Sequence, residues 1–273
     1  MPAVVKTQQN LTLHRVSSVA VSFDISNTLE RLQKNQENSI NKTLFTREQM
    51  QQLLDLCKEC DFTRLLDLLL KAPSKQLDDS RLWLRHFKGF TPYHSLASTK
   101  HSKNVTACGC LLYIVMPKLL NVTYVNNRTP FTLAARCGNK PFLIFNKARN
   151  PKVINQQDGF NETALFVSAT YGLVDSVEFL LSNGANPSQV FNNRNGISDS
   201  AIHTAAYNNQ TRIVEIFLRN NPSLLTLQTE NGLEPIHSAA RKLSDYFDYF
   251  SFDHHLFQHF TRWKFIVSVE ISL

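Results

Sequence analysis

The side chains in this 273-residue chain with the most chemistry to offer are five cysteines and nine histidines. Cys57-Lys58-Glu59-Cys60 has the C-x-x-C spacing of a redox pair or of two metal ligands, and Cys108-Gly109-Cys110 adds two more sulfurs. Four converging thiolates would make a tetrahedral zinc site. His255 and His259 are four residues apart with His254 beside them, which suits one helical face, but no H-E-x-x-H arrangement completes a zinc protease motif. Cys57 and Cys137 are the candidates for a nucleophilic thiol, which would need a depressed pKa and a neighbouring base. The sequence carries no Gly-rich phosphate loop, nucleophile elbow or kinase signature. His94, His203 and His237 stand apart, because each recurs at the same place in a longer pattern.

That pattern decides what positions the rest. Five segments share one phase: Gly89-Phe90-Thr91-Pro92-Tyr93-His94, Asn127-Arg128-Thr129-Pro130-Phe131-Thr132, Asn161-Glu162-Thr163-Ala164-Leu165-Phe166, Ser198-Asp199-Ser200-Ala201-Ile202-His203 and Gly232-Leu233-Glu234-Pro235-Ile236-His237. Their third positions are spaced by 38, 34, 37 and 34 residues. A period in this range marks a stacked array of supersecondary units. Thr or Ser before Pro suits a helix start, since the hydroxyl accepts from a free backbone N–H and Pro tolerates the first turn. Small pairs follow (Ala134-Ala135, Ser168-Ala169, Ala205-Ala206, Ala239-Ala240), and then turn residues Gly138, Gly172 and Asn209. Val174, Val177, Leu180 and Leu181 outline a second helix that ends at Gly184, where a left-handed residue is wanted.

These units resemble the ankyrin repeat, most closely over residues 163–187, and Ile154-Asn155-Gln156-Gln157-Asp158 is similar to the family's finger leading into the next unit. Asn127 and Asn161 replace the turn glycine, and Asn tolerates positive φ. Asn195-Gly196 upstream of Ser198 suggests a finger rebuilt with inserted residues. Thr46 with Gln49 can form a capping box before Leu53, Leu54 and Leu56, and Cys60 to Leu69 has the rhythm of a second helix, so a degenerate unit precedes the five. The resemblance thus covers roughly residues 46–242 and implies an all-α fold: an ankyrin-repeat solenoid of about five to six helix–turn–helix units with β-turn fingers. The expected organisation is a polar segment 1–45, the array 46–242 and an aromatic tail 243–273. In such helices the cysteines read as small buried residues and the repeat histidines as ties between finger and helix. The resemblance implies a binding scaffold with no catalytic residue, no metal and no cofactor.

Apolar residues make up 42% of the chain, enough for a continuous layer between units. No apolar run approaches the roughly 18 residues of a membrane span, no secretory signal is expected, and the odd cysteine count agrees with reduced thiols. A cytoplasmic protein is therefore expected. The loosely consensus, Asn-heavy repeats are similar to those of ankyrin proteins from intracellular bacteria, some of which act in a host cytosol; that likeness implies an exported effector with a host protein as target. Alternating apolar residues permit a strand at Val19–Ile25 and another at Phe265–Leu273. The tail reads as an unusual cap, a partner-docking segment or an altered chain end, the last favoured because the fifth unit stops after its first helix.

The net charge of +7 is unevenly spread. Residues 80–157 hold twelve Lys/Arg and no Asp/Glu, whereas residues 158–273 hold seven and twelve. Such a block attracts an acidic protein, nucleic acid or anionic lipid if its charges share a face, and serves solubility if they scatter. By position, the resemblance implies partner contact through finger tips and inner-helix ends: Phe87, Lys88, Phe90, Asn126, Arg128, Arg136, Phe160, Glu162, Tyr171, Asp199, Tyr207, Asn208, Leu233 and Arg241. Aromatic residues and Arg of this kind dominate interface energies. The competing reading of Phe87, Phe90 and Phe160 is that they pack between fingers.

Overall fold

The computed structural model describes residues 45–72, 77–99, 103–124, 128–192 and 198–247. Asn126 and the two expected terminal strands lie outside them, as does most of the aromatic tail. The first two helices form as their caps dictate. Thr46 and Gln49 close the capping box in both directions, with Oγ1 accepting from Gln49 N at 3.2 Å and Gln49 Oε1 accepting from Thr46 N at 2.9 Å. Helix α1 (Arg47–Glu59) ends at Cys60, whose φ of 54° is left-handed. Asp61 then caps α2 (Phe62–Lys71), which buries Leu65 and Leu69.

The recurrent units follow as helix pairs: α4 (Pro92–Ala97) with α5 (Val105–Val115), α6 (Pro130–Cys137) with α7 (Lys140–Arg149), α8 (Ala164–Thr170) with α9 (Val174–Ser182), and α10 (Ala201–Tyr207) with α11 (Thr211–Asn220). Before them lies α3 (Ser80–Phe87), and after them α12 (Pro235–Phe247). The first helices pack in sequence, α1 on α4, α4 on α6, α6 on α8, α8 on α10 and α10 on α12. The second helices do the same, α2 on α5, α5 on α7, α7 on α9 and α9 on α11. Two helical layers result, and the core lies between them.

Small residues set how closely the first layer stacks. Ala134, Ala135, Ser168, Ala169, Ala205 and Ala206 are all buried. The turn after each pair repeats one hydrogen bond: Asn139 N to Ala134 O at 2.9 Å, Leu173 N to Ser168 O at 3.0 Å and Gln210 N to Ala205 O at 2.8 Å. These bonds close over left-handed Gly138, Gly172 and Asn209, as the sequence predicts. The last pair, Ala239-Ala240, behaves differently. Leu243 occupies the place of the turn residue, and α12 continues without a break to Phe247.

Three features were not anticipated. Helix α3 is one, and it corrects the reading of Phe87 and Lys88 as finger residues. Asp79 caps it, and fully buried Trp83 anchors it through Nε1 to Leu77 O at 2.8 Å. Second, short 3-10 turns follow the second helices at Pro117–Asn121, Pro151–Asn155 and Pro222–Thr226, each seating buried apolar residues such as Leu119, Val153 and Leu224. Third, the rebuilt finger pairs β1 (Val190–Asn192) antiparallel with β2 (Ser198–Ser200), Phe191 opposite Asp199.

Gly89 and Gly184 provide a controlled test of the packing. Their φ angles are nearly equal, 84° and 85°, but a Cβ on Gly89 would stand 2.9 Å from Thr123 O, whereas a Cβ on Gly184 would meet nothing within 4 Å. Gly184→Ala should cost about 1 kcal/mol, the conformational term alone. Gly89→Ala should cost at least about 1 kcal/mol more, because the clash is with backbone. Chemical denaturation of both variants reads the difference, and equal losses would show that the finger strand yields freely.

Candidate partner-binding surface

The recurrent histidines build the surface from below. Thr91 N donates to His94 Nδ1 at 3.1 Å, which makes Nδ1 the acceptor and leaves the proton on Nε2. Nε2–H then donates to the carbonyl of Arg128, in the next finger, at 3.2 Å. His203 repeats the arrangement, with Ser200 Oγ 2.8 Å from Nδ1 and Leu233 O 2.9 Å from Nε2. His237 accepts from Glu234 N at 3.0 Å. Burial pushes the His94 pKa down to about 4, only partly opposed by the Arg128 carbonyl, and burial lowers that of His203 as well. In the third and fourth units Thr132 and Phe166 stand at this place. Thr132 keeps a capping box with Thr129, and Phe166 packs edge-on against Phe191 at 5.4 Å.

Each tied carbonyl belongs to the residue preceding the helix cap, and those residues form a row: Phe90, Arg128, Glu162, Asp199 and Leu233. The inner-helix ends form a second row with Arg136, Tyr171, Tyr207, Asn208 and Arg241. Residues of adjacent units pair within and between the rows. The Arg128 guanidinium lies over the Phe160 ring at 5.1 Å and 3.6 Å from Glu162 Oε2. Arg136 lies over Tyr171 at 5.0 Å, and Arg241 over Tyr207 at 4.9 Å with Lys242 at 4.7 Å. Arg241 also reaches back to Asp199 Oδ2 at 3.7 Å. The remaining positions are quieter. Asn208 donates to Thr204 O at 2.9 Å, half-buried Leu233 serves through its carbonyl, and Lys88 is exposed. Phe87 packs on Trp83 at 5.7 Å, and Phe90 on His94 at 5.4 Å and Tyr124 at 5.7 Å. All three phenylalanines are thus half-buried against neighbours, and among the described residues the large exposed aromatic is Tyr171 at 47%.

The charges in these rows are incompletely compensated. Arg128 keeps only 12% of its side chain exposed, and its Nε and Nη1 are buried without a partner, as is Asp158 Oδ2. Burial raises the pKa of Glu162, reinforced by Asp158 and opposed by Arg128 and Arg136. Burial likewise raises Asp199, outweighing the opposing influence of Arg241 and His203.

The thiols are arranged differently. Cys57, Cys60 and Cys108 are buried, and burial drives the Cys57 and Cys110 thiols upward, the opposite of an activated nucleophile. Cys110 Sγ faces Arg149 Nη2 at 3.2 Å, away from that group. Cys137 is half-buried at the end of α6.

Residues 160–192 match the ankyrin repeat family model, a span that holds the Phe160 finger, both helices of the fourth unit and β1. No curated protein matches the chain.

The His94 tie has a pH signature. Unfolded imidazole takes up a proton below about pH 6.5, while folded His94 resists until about pH 4. Its contribution is therefore complete above pH 6.5 and is lost as pH falls toward 4, a change of about 3 kcal/mol. His94→Gln should be less stable at pH 7 and show a flatter stability profile between pH 7 and 4. Denaturant titrations across that range check this, and parallel profiles for the two proteins would remove the tie from the account.

Proposed function

We propose that this chain, an ankyrin repeat protein, is a scaffold that binds another protein through the two rows on its inner-helix face. The observation that carries the reading is a set of Arg–aromatic pairs between neighbouring units, Arg128–Phe160 in the fingers and Arg136–Tyr171 and Arg241–Tyr207 at the inner-helix ends, which leaves Tyr171 exposed. Pre-stacked aromatic and guanidinium groups lose little side-chain entropy when a partner arrives, so their contact area converts efficiently into affinity. Ankyrin repeats are in general interaction modules, which supports a binding role and a non-enzymatic one. No helix among the described residues is long and apolar enough to cross a membrane.

Binding of nucleic acid or anionic membrane by the 80–157 block is the weaker reading. Its cations sit on different elements and several have local partners: Lys118 is 3.7 Å from Asp78, Lys147 donates to Asn183 at 2.7 Å, and Arg149 stacks on Phe145 at 3.9 Å. A dispersed set of this kind lacks the continuous phosphate track that such binding uses.

Immobilised protein should retain a discrete partner from nuclease-treated lysate at about 0.5 M salt, where phosphate-driven binding collapses. A eukaryotic lysate examines the host-cytosol location in the same way. Tyr171→Ala combined with Tyr207→Ala should weaken that partner at least about tenfold with no change in melting temperature. Undiminished capture by the double variant would move the site off this face, and capture abolished by nuclease or salt would favour the electrostatic reading.

A further inference from the structure

Helix α3 has no counterpart in the other described units, and its two faces differ sharply. Inward, Trp83 is fully buried and Phe87 packs on it at 5.7 Å. Outward, Arg81, Leu84, Arg85 and Lys88 fall at i, i+3, i+4 and i+7, within about 100° of arc. All four are exposed, Leu84 by 59%. Asp79 at the N-cap and left-handed Lys88 at the C-cap hold the helix at both ends.

We propose that this face of α3 is a second docking surface, made for an acidic segment of a partner protein that carries an apolar residue between its carboxylates. The argument is charge complementarity. Like charges at i, i+4 destabilise a helix, and neither Arg81 nor Arg85 has an acidic residue three or four positions away within α3. No Asp or Glu occurs anywhere from residue 80 to 157. The carboxylate that does lie beside the face is already engaged, with Asp79 Oδ1 accepting from Arg81 Nε at 3.2 Å. Lys118, beside the N-terminus of α3, is paired with Asp78 at 3.7 Å as Arg81 is with Asp79, so the charge offered to a partner comes chiefly from Arg85 and Lys88.

Leu84 decides the class of partner. Phosphate recognition gains nothing from a leucine at the centre of the patch. A single leucine is also far too narrow an apolar face for insertion into a bilayer, which takes a broad stripe. A protein segment that alternates carboxylates with an apolar side chain uses all four residues. The surface is distinct from the inner-helix rows and stands whether or not those rows bind a partner.

The test uses the full chain with a fluorescein-labelled peptide of alternating glutamate and leucine residues, read by anisotropy at physiological salt. Polyuridylate and phosphatidylserine vesicles are titrated in parallel. Arg85→Glu with Lys88→Glu should weaken the peptide at least about tenfold, and Leu84→Ser about threefold. Lys103→Glu with Lys152→Glu makes the same change in net charge elsewhere and should leave affinity within about twofold. All these side chains are exposed, so melting temperatures should hold. The proposal is overturned if the peptide fails to bind, if the two charge-reversed doubles weaken it equally, or if polyuridylate or vesicles bind through Arg85 and Lys88 while the peptide does not.

Discussion

The inner helices are too short to exist alone. α4, α6, α8 and α10 have six, eight, seven and seven residues, about half the length at which an isolated helix becomes even marginal in water. Their persistence depends on having both ends closed and both sides covered. A Thr or Ser hydroxyl closes the N-terminus, a left-handed Gly or Asn closes the C-terminus of α6, α8 and α10, and the alanine-lined sides rest on neighbouring units. Where His joins the capping box, its second nitrogen bonds the following finger, so one side chain both ends a helix and fastens the next unit. Local closure and inter-unit cohesion are therefore one interaction, and a unit that lost its cap would also loosen its neighbour.

The same arrangement generates the candidate surface. Fastening the carbonyls of Arg128 and Leu233 fixes the backbone of the finger rows, which leaves the side chains there to find partners across the gap between units. Arg–aromatic stacking works at that spacing because a guanidinium can lie flat on a ring while its edge reaches a carboxylate. Arg241 does both, stacking on Tyr207 while facing Asp199. These contacts leave Arg128 nitrogens and an Asp158 oxygen without partners in a partly desolvated setting. Unmet polar groups are costly in isolation, and the Phe160 stack and the Glu162 charge offset part of that cost at Arg128.

The sequence displays what is encoded by residue type at a fixed phase. Thr91, Thr129, Thr163 and Ser200 begin helices, Gly138, Gly172 and Asn209 end them, and Asn161 takes the positive φ expected of a glycine substitute at 61°. Even the degenerate first unit was legible, because the Thr46–Gln49 box is a local signal. Helix α3 was not, since its anchor is a tertiary contact, Trp83 with Leu77, and the surrounding phase directed attention to Gly89. The prolines at 117, 151 and 222 recur too, but as 3-10 turns they interrupt no apolar periodicity that would mark them. For the surface, the sequence supplied the list of residues but not their pairing. That Arg128 would choose Phe160 and Glu162, and that Phe90 would lie against Tyr124, depends on the offset between units.

The last helix shows how little separates a turn from its absence. In the units before it, the third residue after the small pair is Gly138, Gly172 or Asn209, and each lies in the left-handed region at φ between 56° and 72°. Position 243 is leucine, for which that region costs roughly 1–2 kcal/mol. The chain therefore continues as helix, and α12 runs to 13 residues where its counterparts stop at six to eight. Ala239 and Ala240, which in earlier units would be sealed between inner helices, are half-buried and exposed. One side chain at the turn position thus decides whether the chain turns after the small pair or continues as helix.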